Sequence, residues 1–435
     1  MAAGRELAIW TNGQRLGTWR VSARRMEFQY HEEWLASPHA SPLSLSLPLP
    51  INNLVFAGRK VEAYFDNLLP ESEAIRRRLQ ERFHTASRGA FDLLAAIGRD
   101  CVGAIQIIPV DETPARVDEI KAEPLSDKDV AAEISSATSS RPALREQREF
   151  RISIAGAQEK TALLRHKGRW CRPLGSTPTT HIFKLPLGRI GHFDADMSTS
   201  VENEWLCARI VAAFGLPVAS CEIGEFGHHK VLVVERFDRQ LSAGGKYWLR
   251  LMQEDFCQAT GTPWHEKYQS DGGPGLQDLS YLLRSSVHAA LDQETLFKAQ
   301  LVFFLLAAID GHAKNFSLRL LPRGQLHLTP LYDVLSAWPV IGRKAREIPL
   351  EKAKLAMALP GERPHYTLKS IQRRHFELLA RRMGVAASAG TWIDEILGKV
   401  PAVIDAAQRE LPRGFPQAMS GRIFDGLVRH ARVIA

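Results

Sequence analysis

Cysteine is scarce in this chain. The 435 residues include five, at positions 101, 171, 207, 221 and 257, with no close pair and an odd count. That spacing excludes a disulfide framework and a closed Cys/His zinc site, and no HExxH pattern offers a zinc-protease alternative. Cys207 and Cys221, set among apolar neighbours, read as packing residues of a chain kept in a reducing cytoplasm. Long apolar runs are also missing. The longest, residues 301–309, covers nine positions, against the ~20 of a transmembrane helix, and the opening MAAGRELAIWTNGQRLG carries no secretory signal. No membrane partner is expected. No repeat with a period of roughly 20 to 50 residues recurs, which excludes a solenoid. What remains, 45% hydrophobic and 24% charged residues, is the composition of a globular protein of roughly two to four domains.

The formal net charge of +8 favours an anionic partner, whether protein, nucleotide or nucleic acid, without identifying one. Along the chain, residues 1–148 read as an N-terminal α+β region with a connecting segment. Positions 71–83 predict a helix with Ile75, Leu79 and Phe83 four residues apart, beside a basic face of Arg76, Arg77 and Arg78. That face reads first as solvated surface and second as a nucleic-acid contact. VGAIQIIP predicts a strand ended by its proline. Residues 111–148, rich in Asp, Glu, Ser, Thr and Pro, hold a boundary. Residues 149–248 carry short branched apolar runs, HIFKLP and VLVVERF among them, that read as strands. A helix starting at Glu202 interrupts them: Leu206, Ile210 and Phe214 recur every four residues until Gly215. Residues 249–435 read as mainly helical, with a buried helix over 295–309 that runs directly into DGHAKN.

Three constellations carry chemistry. In Ser153-Ile-Ala-Gly156-Ala-Gln158-Glu159-Lys160, the glycine admits an anion close to the backbone and Lys160 supplies a point charge, while Ser153 is a capping or modifiable hydroxyl. The segment lacks a Walker pattern and by itself fits a simple hairpin turn. Lys184, between Phe183 and Leu185, must snorkel or find a partner, and a nucleotide phosphate would be one; an exposed strand face is the alternative. Glu204 on the following helix is the candidate to hold that lysine, with Glu202 left to the helix N-terminus. The third set is Asp310-Gly-His312-Ala-Lys314-Asn315 followed by Asp333. Phosphoryl transfer needs a carboxylate to orient the attacking hydroxyl, a task for Asp310, and hard oxygen ligands for magnesium, a task for Asn315 and Asp333. The Asp-x-x-x-x-Asn spacing is that of a protein-kinase catalytic loop. His312 either orients Asp310, meets phosphate or fixes the loop. VVERFDR reads as a hinge, with the Glu235 and Phe237 backbone at adenine and Asp238 near ribose. SDGGPGL, residues 270–276, reads as a flexible turn without assigned chemistry.

FRISIAGAQEKTALL, THIFKLP, VENEW, VVERFDR, YQSDGGPG, DGHAKNFS and PLYDVLSA occur in this order. With SPLSLSLP, YFDNLLPES and FDLLAAIGRDCVGA near the N-terminus, the set closely resembles the HipA family of serine/threonine kinases, toxins of type II toxin-antitoxin systems, over most of the chain. The resemblance implies a protein-kinase-like two-lobed fold with an N-terminal α+β subdomain and a mostly helical C-terminal domain. It implies ATP and Mg²⁺ as cofactors, Asp310 as the catalytic aspartate, Asn315 and Asp333 on magnesium, and Lys184 on the phosphates. Gly156, Gln158, Lys160 and Lys314 complete the expected nucleotide contacts, and Ser153 matches the family's autophosphorylated serine, whose modification inactivates the kinase. A HipB-like helix-turn-helix antitoxin is the implied partner, with operator DNA reached mainly through it. The implied setting is the bacterial cytoplasm, with nucleoid association in that complex. The best-known family substrate is glutamyl-tRNA synthetase. Two competing readings stand beside this one: a small-molecule or lipid kinase using the same machinery, and a non-enzymatic component of an antitoxin-DNA complex.

Overall fold

Alternating apolar residues build the first sheet. Strands β1 (Arg5–Thr11), β2 (Gln14–Ser22), β3 (Arg25–Tyr30), β4 (Val55–Ala57) and β5 (Ile105–Pro109) pair antiparallel in the order β4-β3-β2-β1-β5. Asn12 and Gly13 both take positive φ between β1 and β2, the two-residue turn whose twist matches antiparallel strands. Leu7, Ile9, Trp19, Phe28 and Ile107 are buried, and Trp19 stacks on Phe65 with ring centroids 3.8 Å apart. The computed structural model describes residues 5–22, 25–139 and 153–435. The chain forms two compact units, one of residues 1–185, 224–265 and 318–325, the other of residues 186–223, 266–317 and 326–435.

The first unit also contains helices α1 (Glu73–Phe83), capped by the Ser72 hydroxyl, and α2 (Ala90–Ile97). The basic face of α1 departs from expectation. Arg76 is buried, pairing with Asp66 at 2.7 Å and donating to the Pro70 carbonyl, and Arg78 pairs with Glu159. Intramolecular acceptors thus take two of the three arginines offered to nucleic acid, and Arg77 alone of them is exposed. Five strands of a six-stranded second sheet, β6 (Ala122–Pro124), β7 (Lys160–His166), β8 (Arg169–Pro173), β9 (His181–Lys184) and β10 (His229–Glu235), run in the order β10-β9-β7-β8-β6. Helix α3 (Asp127–Thr138), with a capping box of Ser126 and Asp129, packs on it through Val130 and Ile134 against Leu163, Phe183, Val231 and Val233. Part of the stretch expected to hold a boundary is therefore core. The boundary at 148 lies outside the described residues.

The second unit is mainly helical, as expected: α4 (Ser200–Ala213), α5 (Leu276–Leu283), α6 (Ala289–Leu306), α7 (Arg373–Met383), α8 (Ala386–Glu410) and α9 (Gln417–Ile434). From Leu296 to Leu306 every residue of α6 is buried, which makes it the central helix of the unit. His430 of α9 stacks on Phe304 at 4.2 Å and bonds its carbonyl through Nδ1 at 2.7 Å. All five cysteines are buried thiols outside any disulfide. Among the described residues no helix is long and apolar enough to cross a membrane, and no group of three or more His, Cys, Asp or Glu could hold a metal ion.

One buried acid gives the first unit a pH dependence. Glu254 is inaccessible to solvent, and its Oε1 accepts the Leu45 amide at 2.8 Å. Burial, only partly offset by hydrogen bonds from Ser44 and Leu45, pushes its carboxyl up to about 8. The folded state therefore keeps a proton that the unfolded chain releases above about pH 4.3, so Glu254 subtracts progressively from stability between there and pH 8. Glu254→Gln does not titrate. Its Tm advantage over the parent chain should be larger at pH 8 than at pH 5, as read by thermal melts of both proteins.

Candidate active site

The nucleotide-side residues named from sequence lie in the first unit. β7 and β9 pair so that Lys160 stands directly opposite Lys184. Because side chains alternate along a strand, Phe183 enters the core while Lys184 faces the opposite side, 7% exposed. Two ammonium groups in one cross-strand pair repel. Lys160 Nζ donates to the Ala155 carbonyl at 2.6 Å, drawing the Gly156 loop over the pair. Gly156 has φ +112°, a backbone conformation that L side chains rarely adopt, so glycine is favoured in the cradle. The Gln158 amide donates to the Leu185 carbonyl, while the Leu185 amide donates to the Glu159 carbonyl at 3.1 Å. Gln158 thus pins the loop to the end of β9.

Ser153 leads into this loop and is fully buried. Its hydroxyl donates to the Leu68 carbonyl at 2.8 Å and its amide to the Asp100 carbonyl at 3.1 Å. Asp100 in turn organises a buried charge cluster. Its Oδ2 accepts the Thr179 amide and hydroxyl at 3.0 and 2.6 Å and Arg236 at 3.3 Å. Its Oδ1 accepts Arg239 at 2.9 Å and Arg250 at 3.3 Å. Asp238 joins the cluster, pairing with Arg236 at 2.8 Å and Arg239 at 3.0 Å and accepting the Gly103 amide at 2.7 Å. Burial by itself raises both carboxyls, but the arginines overcome it, holding Asp100 far below the usual carboxylate range and Asp238 at about 2. Asp238, expected at ribose, is thus engaged inside the protein. In the same segment Glu235 is exposed, and the Phe237 carbonyl accepts Arg319 at 2.7 Å.

The catalytic-loop residues lie in the second unit. α6 ends at Ala307, whose φ of 48° reverses the chain. Its last carbonyls are satisfied from the Asp333 segment: Ser336 Oγ donates to Leu306 at 2.6 Å and Trp338 Nε1 to Leu305 at 2.9 Å. Gly311 lets the loop press on Phe303, where a Cβ would meet the ring at 2.6 Å. His312, Lys314 and Asn315 are buried, yet the Asp310 side chain is 59% exposed. Asn315 Nδ2 donates to the Asp310 carbonyl at 2.9 Å, which closes the loop on itself. Tyr332 donates to the Lys314 carbonyl at 2.7 Å, tying the residue before Asp333 to the residue before Asn315. Asp333 itself holds φ of 60°, a conformation that costs a non-glycine residue about 1–3 kcal/mol and recurs at functional sites. Amide and carboxylate oxygens such as those of Asn315 and Asp333 are the hard ligands magnesium prefers.

Sequence reasoning missed three supports. Tyr268 donates to Asp310 Oδ1 at 2.5 Å and meets the His312 ring edge-on at 5.2 Å. His312 Nε2 stands 4.0 Å from the same Oδ1, so a phenol and an imidazole flank the carboxylate. Asn203 exchanges two hydrogen bonds with the Ser336 backbone, at 2.8 and 2.9 Å, tying α4, with buried Glu202 and Glu204, to the Asp333 segment. Tyr332 is the third. Each lies beside a residue chosen for its charge or inside a motif read as a turn, and no spacing rule marks it.

An α+β unit with a glycine-gated lysine pair, and a helical unit presenting Asp-x-x-x-x-Asn with a following aspartate, define the class of protein-kinase-like phosphotransferases. Comparison with known proteins narrows the class. Residues 152–404 match the family model of the HipA-like C-terminal domain, and residues 7–108 match that of the HipA N-terminal domain. The chain belongs to the HipA family of serine/threonine toxin kinases. It is 36% identical over 351 residues to a Sinorhizobium fredii protein named "Putative kinase Y4mE", covering 78% of this chain and 80% of that protein. It is 29% identical over 330 residues to the serine/threonine-protein kinase toxin HipA of Shewanella oneidensis, covering 73% of this chain and 71% of that one. A chain in the solved Shewanella oneidensis complex of HipA, HipB and operator DNA shares the fold, with a TM-score of 0.77 and 22% identity over 98% of this chain and 97% of that one.

Removing one partner from a buried ionic cluster strands the others. Asp100→Ala should destabilise the protein by about 3–5 kcal/mol, against ~0–1 kcal/mol for loss of the exposed Arg88–Glu73 pair. Denaturant melts of the two variants compare the costs directly.

Proposed function

We propose that the chain transfers phosphate from magnesium-bound ATP to serine or threonine hydroxyls of a protein, with Asp310 as the residue that orients the acceptor. The carrying observation is the exposed Asp310 carboxylate on an otherwise buried loop, flanked by Tyr268 and His312. Bound ATP and magnesium supply the transferable phosphoryl group and the cation that neutralises its charge. Asp310 accepts a hydrogen bond from the acceptor hydroxyl and receives its proton. His312 and Tyr268 hold the carboxylate in place. Asn315 and Asp333 present oxygen to the cation. Lys160, Lys184 and the amides around Gly156 hold phosphate oxygens, with Gln158 fixing the loop, Lys314 supporting the same charge and Glu204 steadying Lys184. The Glu235 and Phe237 backbone serves adenine, while Asp238 acts through the buried cluster.

Ser153 is the proposed site of self-inactivation. Its hydroxyl has to leave the Leu68 carbonyl before it can accept phosphate, and a group carrying about −1.5 to −2 charge has no place in that seat afterwards. The modified segment therefore stays out and the Gly156 cradle is lost. A helix-turn-helix antitoxin is the proposed partner, as in the Shewanella assembly, with operator DNA reached through it. A translation protein such as an aminoacyl-tRNA synthetase is the substrate class to examine first.

Asp310→Asn should lower transfer of labelled phosphate by about 10²- to 10⁴-fold; full transfer by that variant, with contaminating kinases excluded, contradicts the assignment. Ser153→Ala should abolish time-dependent loss of activity in ATP, and phosphopeptide maps of the unaltered chain should place the modification at Ser153.

A further inference from the structure

The segment read from sequence as a flexible turn is packed, and it packs against the backbone under Tyr268. Gly273 has no room for a side chain, since a Cβ would fall 1.9 Å from the Glu266 carbonyl oxygen and 2.9 Å from that of Tyr268, and at Gly275 a Cβ would meet the Gln269 amide at 2.6 Å. That amide is fixed from the other side, because Gln269 Oε1 accepts the Ala358 backbone N–H at 2.7 Å. The Tyr268 carbonyl accepts the backbone amides of Asp271 and Gly273, both at 3.0 Å. All of these residues belong to the second unit. The main chain at Tyr268 is thus clamped, while its side chain is only half-buried and can turn between rotamers.

That side chain ends on Asp310. Its hydroxyl donates to Asp310 Oδ1 at 2.5 Å, and its ring lies edge-on to His312 at 5.2 Å. A hydroxyl donating to this carboxylate at hydrogen-bond length is the arrangement required of an acceptor serine or threonine, so in the free chain the phenol stands in the acceptor's place. The Asp310 side chain is 59% exposed, and water meets such a group far more often than a protein hydroxyl does. A water oriented there would take the phosphoryl group itself. Its oxygen would bond to the γ-phosphorus as the bond from that phosphorus to the ADP oxygen broke, and Asp310 would receive its proton. Keeping water from the reacting groups is a general requirement of group transfer.

We propose that Tyr268 selects protein hydroxyls over water: its phenol occupies the Asp310 oxygen that an attacking hydroxyl needs, and swings aside only when a bound substrate segment displaces it. The proposal rests on the kinase reading and adds the choice of acceptor. A water that displaces the phenol exchanges one hydroxyl on Asp310 for another, and nothing offsets the lost contact of the ring with His312. A protein segment brings further contacts that do offset it, which is specificity by induced fit. Tyr268 is on this account a positioning residue that acts through Asp310, and Gly273 and Gly275 give its backbone a fixed pivot.

The test compares Tyr268→Phe, which keeps the ring and removes only the donor, with the unaltered tyrosine, both in the Ser153→Ala chain so that self-inactivation does not intervene. Loss of one half-buried hydroxyl should leave the fold intact. Release of inorganic phosphate from magnesium-bound ATP, with no protein acceptor added, should rise about tenfold in Tyr268→Phe, the lower end of what a hydrogen bond to a charged group is worth. Asp310→Asn in the same background should return release to the rate of buffer. With Ser153 restored, Tyr268→Phe should not speed phosphorylation at Ser153, so the ratio of phosphate released to phosphate transferred rises. Unchanged or slower release in Tyr268→Phe overturns the proposal. A parallel change in both rates, the mark of a residue that only steadies Asp310, overturns it as well. Absence of release and of Ser153 phosphate from every chain, the unaltered one included, refutes the kinase reading itself.

Discussion

The first unit depends on one carboxylate. Asp100 is buried, and an ionised carboxylate out of water is costly unless its oxygens are fully supplied with donors. Thr179, Arg236, Arg239 and Arg250 supply them. Two carboxylates against three guanidiniums leave one positive charge in excess, and backbone carbonyls of Cys101, Gly103, Ser176 and Thr179 accept remaining guanidinium hydrogens. The geometry is demanding because every member must be present for any to be tolerated. The result joins residues 100–103, within the span matched as HipA N-terminal domain, to the strand-end arginines of the C-terminal domain match. The same residue's carbonyl holds the Ser153 amide. The position of Ser153 and that of the segment around Arg236 and Asp238 therefore rest on a shared electrostatic constraint.

The second unit solves a different problem. An exposed carboxylate is held in one place only if its neighbours are fixed. The loop after α6 meets this need by burying them. His312, Lys314 and Asn315 are buried, Gly311 lies against Phe303, and Tyr332 and Ser336 fasten the Asp333 segment to the same loop. Asp310 is left projecting, with a phenol and an imidazole beside it. Strain at Asp333 is tolerated because Asn203 and α6 anchor the residues that follow it.

Charge had a different fate from the one composition suggests. A net charge of +8 invites a search for a nucleic-acid face, and α1 offered one. Folding turned Arg76 and Arg82 inward and paired Arg78 with Glu159, because long arginine side chains can reach back to carbonyls and carboxylates of adjoining segments.

Periodicity and motif order were enough to read the α+β and helical regions, the helix from Ser200 to Ala213 with its glycine stop, the central helix feeding DGHAKN, and the family, because these depend on spacing within short segments. The residues proposed for catalysis could be named for the same reason: acid, amide and lysine recur there at the intervals of a known loop. Tyr268 on Asp310, the engagement of Asp238, the burial of Ser153 and the incorporation of residues 127–138 into a core were decided by tertiary structure. Each joins positions far apart in the chain, and hydrogen bonding and desolvation act on distance in space, which no local pattern of residues encodes.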